Sequence, residues 1–190
     1  MKRLQFLLPL LFLFGLTGAC KPTQRVTKAD ARNNVKLAVV DNWKEAISEQ
    51  GRFRILFPNT PRLREDLSTL KGFSLVETST SWTAYYLDYP EPRKSDDGTL
   101  HSAYAGSVES IVKRSQAQLL SQKDVRLNGR LGTECVIVNK AGLISYIRAF
   151  LYLRRMYMLE VDRKGEVVTE ATVPKDVQQF FDSFAYWDVN

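Results

Sequence analysis

The stretch 124–162, DVRLNGRLGTECVIVNKAGLISYIRAFLYLRRMYMLEVD, decides the fold. Asn128-Gly129 stands between two runs of alternating residues, and this dipeptide favours a two-residue hairpin because both turn positions take positive φ. Downstream, ISYIRAFLYL and MYMLEVD flank Arg154-Arg155 and are rich in aromatic and β-branched residues, which predicts a second hairpin turning at the two arginines. Together these signals make the second half of the chain an antiparallel meander. In a regular strand Tyr146, Arg148, Phe150 and Tyr152 share one face.

Working outward toward the N-terminus, the strand pattern begins near Trp43. RFRILF (52–57) alternates Phe53, Ile55 and Phe57 against Arg52, Arg54 and Leu56, the pattern of a half-buried strand, and the prolines of PNTP (58–61) stop it. FSLVETSTSWTAYYLDY (73–89) supplies two more strands or one long bent one, with Tyr85, Leu87 and Tyr89 on one face. PEPRKSDDGTLHS (90–102) is polar and turn-rich and is expected to be the longest loop. An amphipathic helix is expected in YAGSVESIVKRSQAQLLSQ (104–122), with Ser107 as N-cap and Val108, Ile111, Val112 and Leu119 as its apolar face. The chain closes with a helix in VPKDVQQFFDSFAYW, where Pro174 suits the first turn and Val177, Phe180, Phe181 and Phe184 form the packing stripe. The fold class read from this order is α+β, an antiparallel sheet flanked by helices.

The N-terminal segment carries an address. Lys2-Arg3 precede an apolar run from Leu4 to Leu16, the charged and hydrophobic regions of an export signal. The run is too short for a bilayer-spanning helix, which needs about 20 apolar residues. Gly18-Ala19-Cys20 resembles the lipobox of bacterial lipoproteins, with Thr17 where that family usually has leucine. On this reading the chain is cut before Cys20, whose thiol carries diacylglycerol and whose new amine is acylated. Two or more acyl chains make attachment stable where one is marginal. The other reading takes Thr17-Gly18-Ala19 as a small-residue cleavage site and leaves a secreted protein whose Cys20 pairs with Cys135. The expected organisation is a signal peptide at 1–19, a tether at 20–40 anchored by lipid at Cys20, and one α+β domain at 41–190. Lys21, Arg25, Lys28, Arg32 and Lys36 punctuate the tether, which reads as a solvated linker or as a segment lying on anionic headgroups.

Removing residues 1–19 takes away Lys2 and Arg3 and no acid, which lowers the formal charge from +6 to +4. That charge is mild and spread along the chain, so nucleic acid is not an expected partner. Cys135, in the alternating run GTECVIVN, reads as a buried free thiol acting as a small hydrophobe.

A strand running into FPNTP, a middle amphipathic helix, a hairpin at NGRLGTECVIV, a long hairpin YIRAFLYLRRMYMLEVD and a final FFDSFAYW segment resemble the PsbP-like group, which includes the DcrB-like bacterial lipoproteins. The resemblance spans roughly residues 43–187 and rests on core patterns. It implies an α/β/α sandwich and a non-catalytic accessory, assembly or binding role; it implies no cofactor or metal ligand at any position.

The residues themselves point away from catalysis. His101 is the only histidine, in the segment expected to be an exposed loop, and the chain has no G-x-S-x-G, G-x-x-x-x-G-K, G-x-G-x-x-G or H-E-x-x-H motif. Asp96 and Asp97 with His101, and Glu91 beside them, are the nearest approach to a hard-cation set. They lack the calcium-loop spacing, and a solvated turn is the plainer reading. The tyrosines at 85, 86, 89, 146, 152 and 157 are expected mostly in the sheet core. The sharper expectation is a partner surface of Arg148, Tyr152, Arg154 and Arg155, because Tyr and Arg are enriched at binding hot spots. The function expected is therefore that of an exported, lipid-anchored, non-catalytic protein of a bacterial cell membrane or outer membrane, its domain on the periplasmic or outer side. It requires no cofactor and binds or helps assemble other envelope proteins. A periplasmic carrier or sensor of a small ligand is the alternative, followed by an unrecognised hydrolase.

Overall fold

A computed structural model describes residues 42–64, 70–91, 96–165 and 172–187. The export signal, Cys20 and the tether lie outside the described residues. Ten strands and two helices follow in chain order among the described residues: β1 (Lys44–Ser48), β2 (Phe53–Phe57), β3 (Arg62–Arg64), β4 (Lys71–Val76), β5 (Thr80–Asp88), α1 (Asp97–Ser115), β6 (Gln118–Leu127), β7 (Arg130–Val138), β8 (Leu143–Tyr152), β9 (Arg155–Lys164), α2 (Lys175–Asp182) and β10 (Ala185–Tyr186). Seven strands form an antiparallel sheet in the order β3-β4-β5-β9-β8-β7-β6, and a smaller sheet has the order β1-β2-β10.

The meander forms as its sequence dictates, because alternation gives each central strand two usable faces. On one face Trp82, Ala84, Val136, Tyr146, Phe150, Tyr157, Leu159 and Val161 pack with Phe53, Ile55 and Phe57 of β2 and with Val177, Phe180 and Phe181 of α2. On the other face Cys135, Ile137, Ile147, Ala149 and Met158 pack against Leu100, Tyr104 and Val108 of α1. The large sheet therefore carries helices on both faces, the α+β arrangement expected from the sequence, and it shares its α2 face with the small sheet. Gly132 is obligatory in this packing: a Cβ there would lie 2.4 Å from the Phe150 ring.

The structure corrects several local expectations. The loop expected over 90–102 ends early, because α1 begins at Asp97; Asp96 is its N-cap and accepts from Thr99 N at 2.9 Å. Ser107 is thus inside the helix, where its hydroxyl donates to Ala103 O at 2.8 Å. His101 is helical and exposed, and Leu119 belongs to β6. The second hairpin turns at Leu153-Arg154, so Arg155 is the first residue of β9, paired with Tyr152. The last helix ends at Asp182 with Pro174 as its N-cap, and Ala185–Tyr186 pair with Arg54 and Phe53 as a short strand.

Candidate functional site

The ends of several strands meet at one end of the large sheet. The Asn128-Gly129 and Leu153-Arg154 turns, the end of β5 at Asp88 and the β1–β2 turn around Gln50 all reach this end. Its organiser is Arg155. The Nε and Nη2 groups each donate to the Asp88 carboxylate at 2.7 Å, while Nη1 donates to Gln50 O at 2.9 Å. The guanidinium carbon sits 4.4 Å over the Tyr86 ring. Such a two-pronged charge-assisted pair fixes position as well as charge. The hydrogen bonds from Arg155 hold the Asp88 carboxyl below the usual carboxylate range, and the same contact raises the guanidinium pKa. Burial pushes the nearby Tyr157 hydroxyl up to about 12, so it stays protonated.

A second contact flanks the tip. Arg130 stacks on Tyr152, its guanidinium carbon 3.9 Å from the ring centroid. Tyr152 lies 5.4 Å from Tyr186, which stacks on Tyr157 at 5.4 Å. This aromatic column runs from the half-buried Tyr152 into the core. Beyond it Leu153 is 52% exposed, Arg154 is exposed beside it, and Arg52 is exposed on the adjacent turn. Next to this end lies a shallow pocket of about 200 Å³ lined by Ile47, Ser48, Gln50, Lys71, Phe73 and Tyr86. Small-molecule sites usually measure roughly 300–1,000 Å³, so its volume does not favour the carrier reading.

Of the four residues expected to form a partner surface, Tyr152, Arg154 and Arg155 come together at this end, with Arg155 committed to Asp88. Arg148 is a correction. It is 8% exposed, donates to Glu134 through Nε at 2.9 Å and Nη2 at 2.5 Å, and reaches Asp182 through Nη1 at 2.9 Å. Glu134 also receives Lys123 Nζ at 2.8 Å. Arg148 therefore ties α2 to β7 and offers no free surface; its pleat side is the α2 face, where the core is densest.

The residues weighed as metal ligands have other work. Asp96 also accepts from Thr99 Oγ1 at 2.8 Å, Asp97 pairs with Arg126 at 2.5 Å, and His101 Nδ1 lies 3.4 Å from Asp124 Oδ1. Glu91 is exposed at the end of its described segment. Among the described residues no three His, Cys, Asp or Glu side chains gather as a metal site. Cys135 is buried under α1 and burial pushes its thiol up to about 12, which removes thiolate reactivity at neutral pH. A bridge to it requires opening that core.

Sequence reasoning missed Leu153, Asp88 and Arg130 at the turn end. Asp88 and Arg155 are far apart in the chain and meet through strand register, which no local spacing encodes. It also missed the start of α1. The signal there was available: Leu100, Tyr104 and Val108 recur every fourth residue behind Asp96 as cap. Tyr104 locks the helix to the sheet, accepting from Leu151 N at 2.6 Å and donating to Leu131 O at 3.2 Å.

No helix among the described residues is long and apolar enough to cross a membrane. No protein-family model matches the sequence, and no curated protein matches it. Among solved structures the chain is similar to cyanobacterial PsbP (CyanoP) from Synechocystis sp. PCC 6803, at a TM-score of 0.56 and 11% identity over 83% of this chain and 98% of that one. It is also similar to the Saccharomyces cerevisiae Ran-binding protein Mog1p, at a TM-score of 0.51 and 14% identity over 76% of this chain and 95% of that one. At such identities the likeness is one of fold, and the fold of this chain is PsbP-like.

Proposed function

We propose that the protein is a lipid-anchored, non-catalytic factor of the bacterial envelope whose domain binds other envelope proteins through the turn end of its large sheet. The observation that carries the reading is the presentation of an exposed Leu153-Arg154 tip on two rigid supports, the Arg155–Asp88 pair and the Arg130–Tyr152 stack. Side chains held in place before contact lose less freedom on binding. The solved neighbour described as Ran-binding supports the use of this fold as a protein-binding module. The lipobox-like Gly18-Ala19-Cys20 supports the anchor.

The test is an intact mass of the protein extracted from bacterial membranes, read beside a Cys20→Ala variant and beside crosslinking of neighbours in those membranes. A chain starting at residue 20 with added diacylglycerol, held with a crosslinked protein neighbour and released by the variant, is the expected result. A soluble, unmodified chain, two hydrogens light from a Cys20–Cys135 bond, overturns the anchor and moves the freely diffusing carrier to first place.

A further inference from the structure

Two turns of equal length cap the meander, and they obey different rules. At Asn128-Gly129 both residues have positive φ, 52° and 77°, and both are types that tolerate it. At Leu153-Arg154 it is a leucine that has φ of 52°. A bulky side chain at positive φ brings its Cβ against the neighbouring carbonyl and is an outlier. The same leucine is 52% exposed, so core packing does not explain it either.

Its surroundings give it a use. Arg52, Lys71, Arg126, Arg130, Arg154 and Arg155 gather at this end of the sheet, against the carboxylates of Glu49, Asp88 and Asp97, the last of them held by Arg126. Asp88 is already taken by Arg155. The result is an apolar point set in a positive rim. The described chain begins at the other end of β5, where Trp43 packs edge-on against Trp82 at 5.9 Å. Trp82 and Asp88 lie about 20 Å apart along the strand, so the tip and the first described residues occupy opposite ends of the sheet.

From this juxtaposition we infer that Leu153 is the anchor of a docking surface, and that its partner is a protein presenting acidic side chains around a leucine-sized apolar depression. The inference rests on the protein-binding reading above and names the chemistry of the partner. Charge complementarity sets register and encounter rate, and the buried apolar point supplies the affinity.

The experiment replaces Leu153 by photoreactive p-benzoylphenylalanine in the full chain in bacteria and maps the crosslinked peptide by mass spectrometry. Val76, 77% exposed at the opposite end of the sheet, carries the same probe as the reference site. The expected product at position 153 is one protein, joined within a segment of Asp, Glu and apolar residues. A Leu153→Asn variant, whose side chain suits positive φ, is expected to keep or raise the thermal midpoint while recovery of that protein falls about tenfold. Crosslinks to phospholipid or to a basic segment overturn the inference, as does full recovery with Leu153→Asn. A crosslink at Val76 with none at position 153 sinks the tip but leaves the binding function standing; silence at both positions sinks both.

Discussion

Strand β9 separates two chemistries. Tyr157, Leu159 and Val161 point to the α2 face and are 2%, 0% and 0% exposed. Met158, Glu160 and Asp162 point the other way, and only Met158 joins the core under α1. The α2 face is closed by a helix and a second sheet, with aromatic rings in edge-on and stacked contact throughout. On the α1 face hydroxyls and carboxyls occupy the middle of the sheet: Ser145 donates to Asp162 at 2.5 Å, Ser81 donates to it at 3.4 Å, and Glu160 stands opposite Thr83 and Ile147. One face holds the domain together, and the other tolerates polarity beside its helix.

The largest effect is expected where the closed face is densest. Phe180 is fully buried, its ring 5.2 Å from Phe57 of the small sheet and 5.4 Å from Trp82 of the large one. Phe180→Ala opens a cavity between three elements and should lower unfolding stability by about 4 kcal/mol, measured by denaturant titration. A loss below about 1 kcal/mol would mean that the two sheets do not depend on α2 for their union.

Next comes the charged pair inside that face, Arg148 with Glu134. Arg148→Ala leaves Glu134, 2% exposed, with only Lys123 as cation, and should destabilise by about 3 kcal/mol. The double change Arg148→Met with Glu134→Leu removes both charges and should restore most of that loss, because the desolvation penalty disappears with the pair. If the double variant is no better than Arg148→Ala, the guanidinium contributes through its stack on Phe181, 4.7 Å away, more than through charge.

These two residues also show what the sequence makes legible. The stripe Val177, Phe180, Phe181 and the alternation Phe53, Ile55, Phe57 are local patterns, and each falls on the core as its period requires. The meander is legible for the same reason. Arg148 occupies an inward position in an equally regular strand, yet its type suggests surface. Its partners Glu134 and Asp182 come from β7 and α2, and pairing across elements decided its burial. The turn at Leu153 was misplaced by one residue because Leu has no preference for positive φ, and the adjacent arginines looked more turn-like. The small sheet escaped because β10 is two residues long and is defined by its partner β2.

The smallest effect tests the polar face, and its sign is opposite to that of an ordinary ion pair. Burial first, and the neighbouring Asp162 carboxyl second, raise the Glu160 pKa above the usual carboxylate value of 4.5; burial likewise raises Asp162, against the hydroxyls of Ser145 and Ser81. A carboxyl with a raised folded-state pKa holds its proton more tightly folded than unfolded. Its favourable contribution is complete below about pH 4.5 and is lost as the pH rises through the folded-state value. Glu160→Gln removes that titration while keeping the shape. The variant should match the wild type near pH 4.5 and exceed its thermal midpoint by a few degrees near pH 8. A wild-type midpoint that rises over this range, or a variant less stable at pH 8, would mean that a cationic group meets Glu160 and that the α1 face is closed by charge as firmly as the other is by aromatic rings.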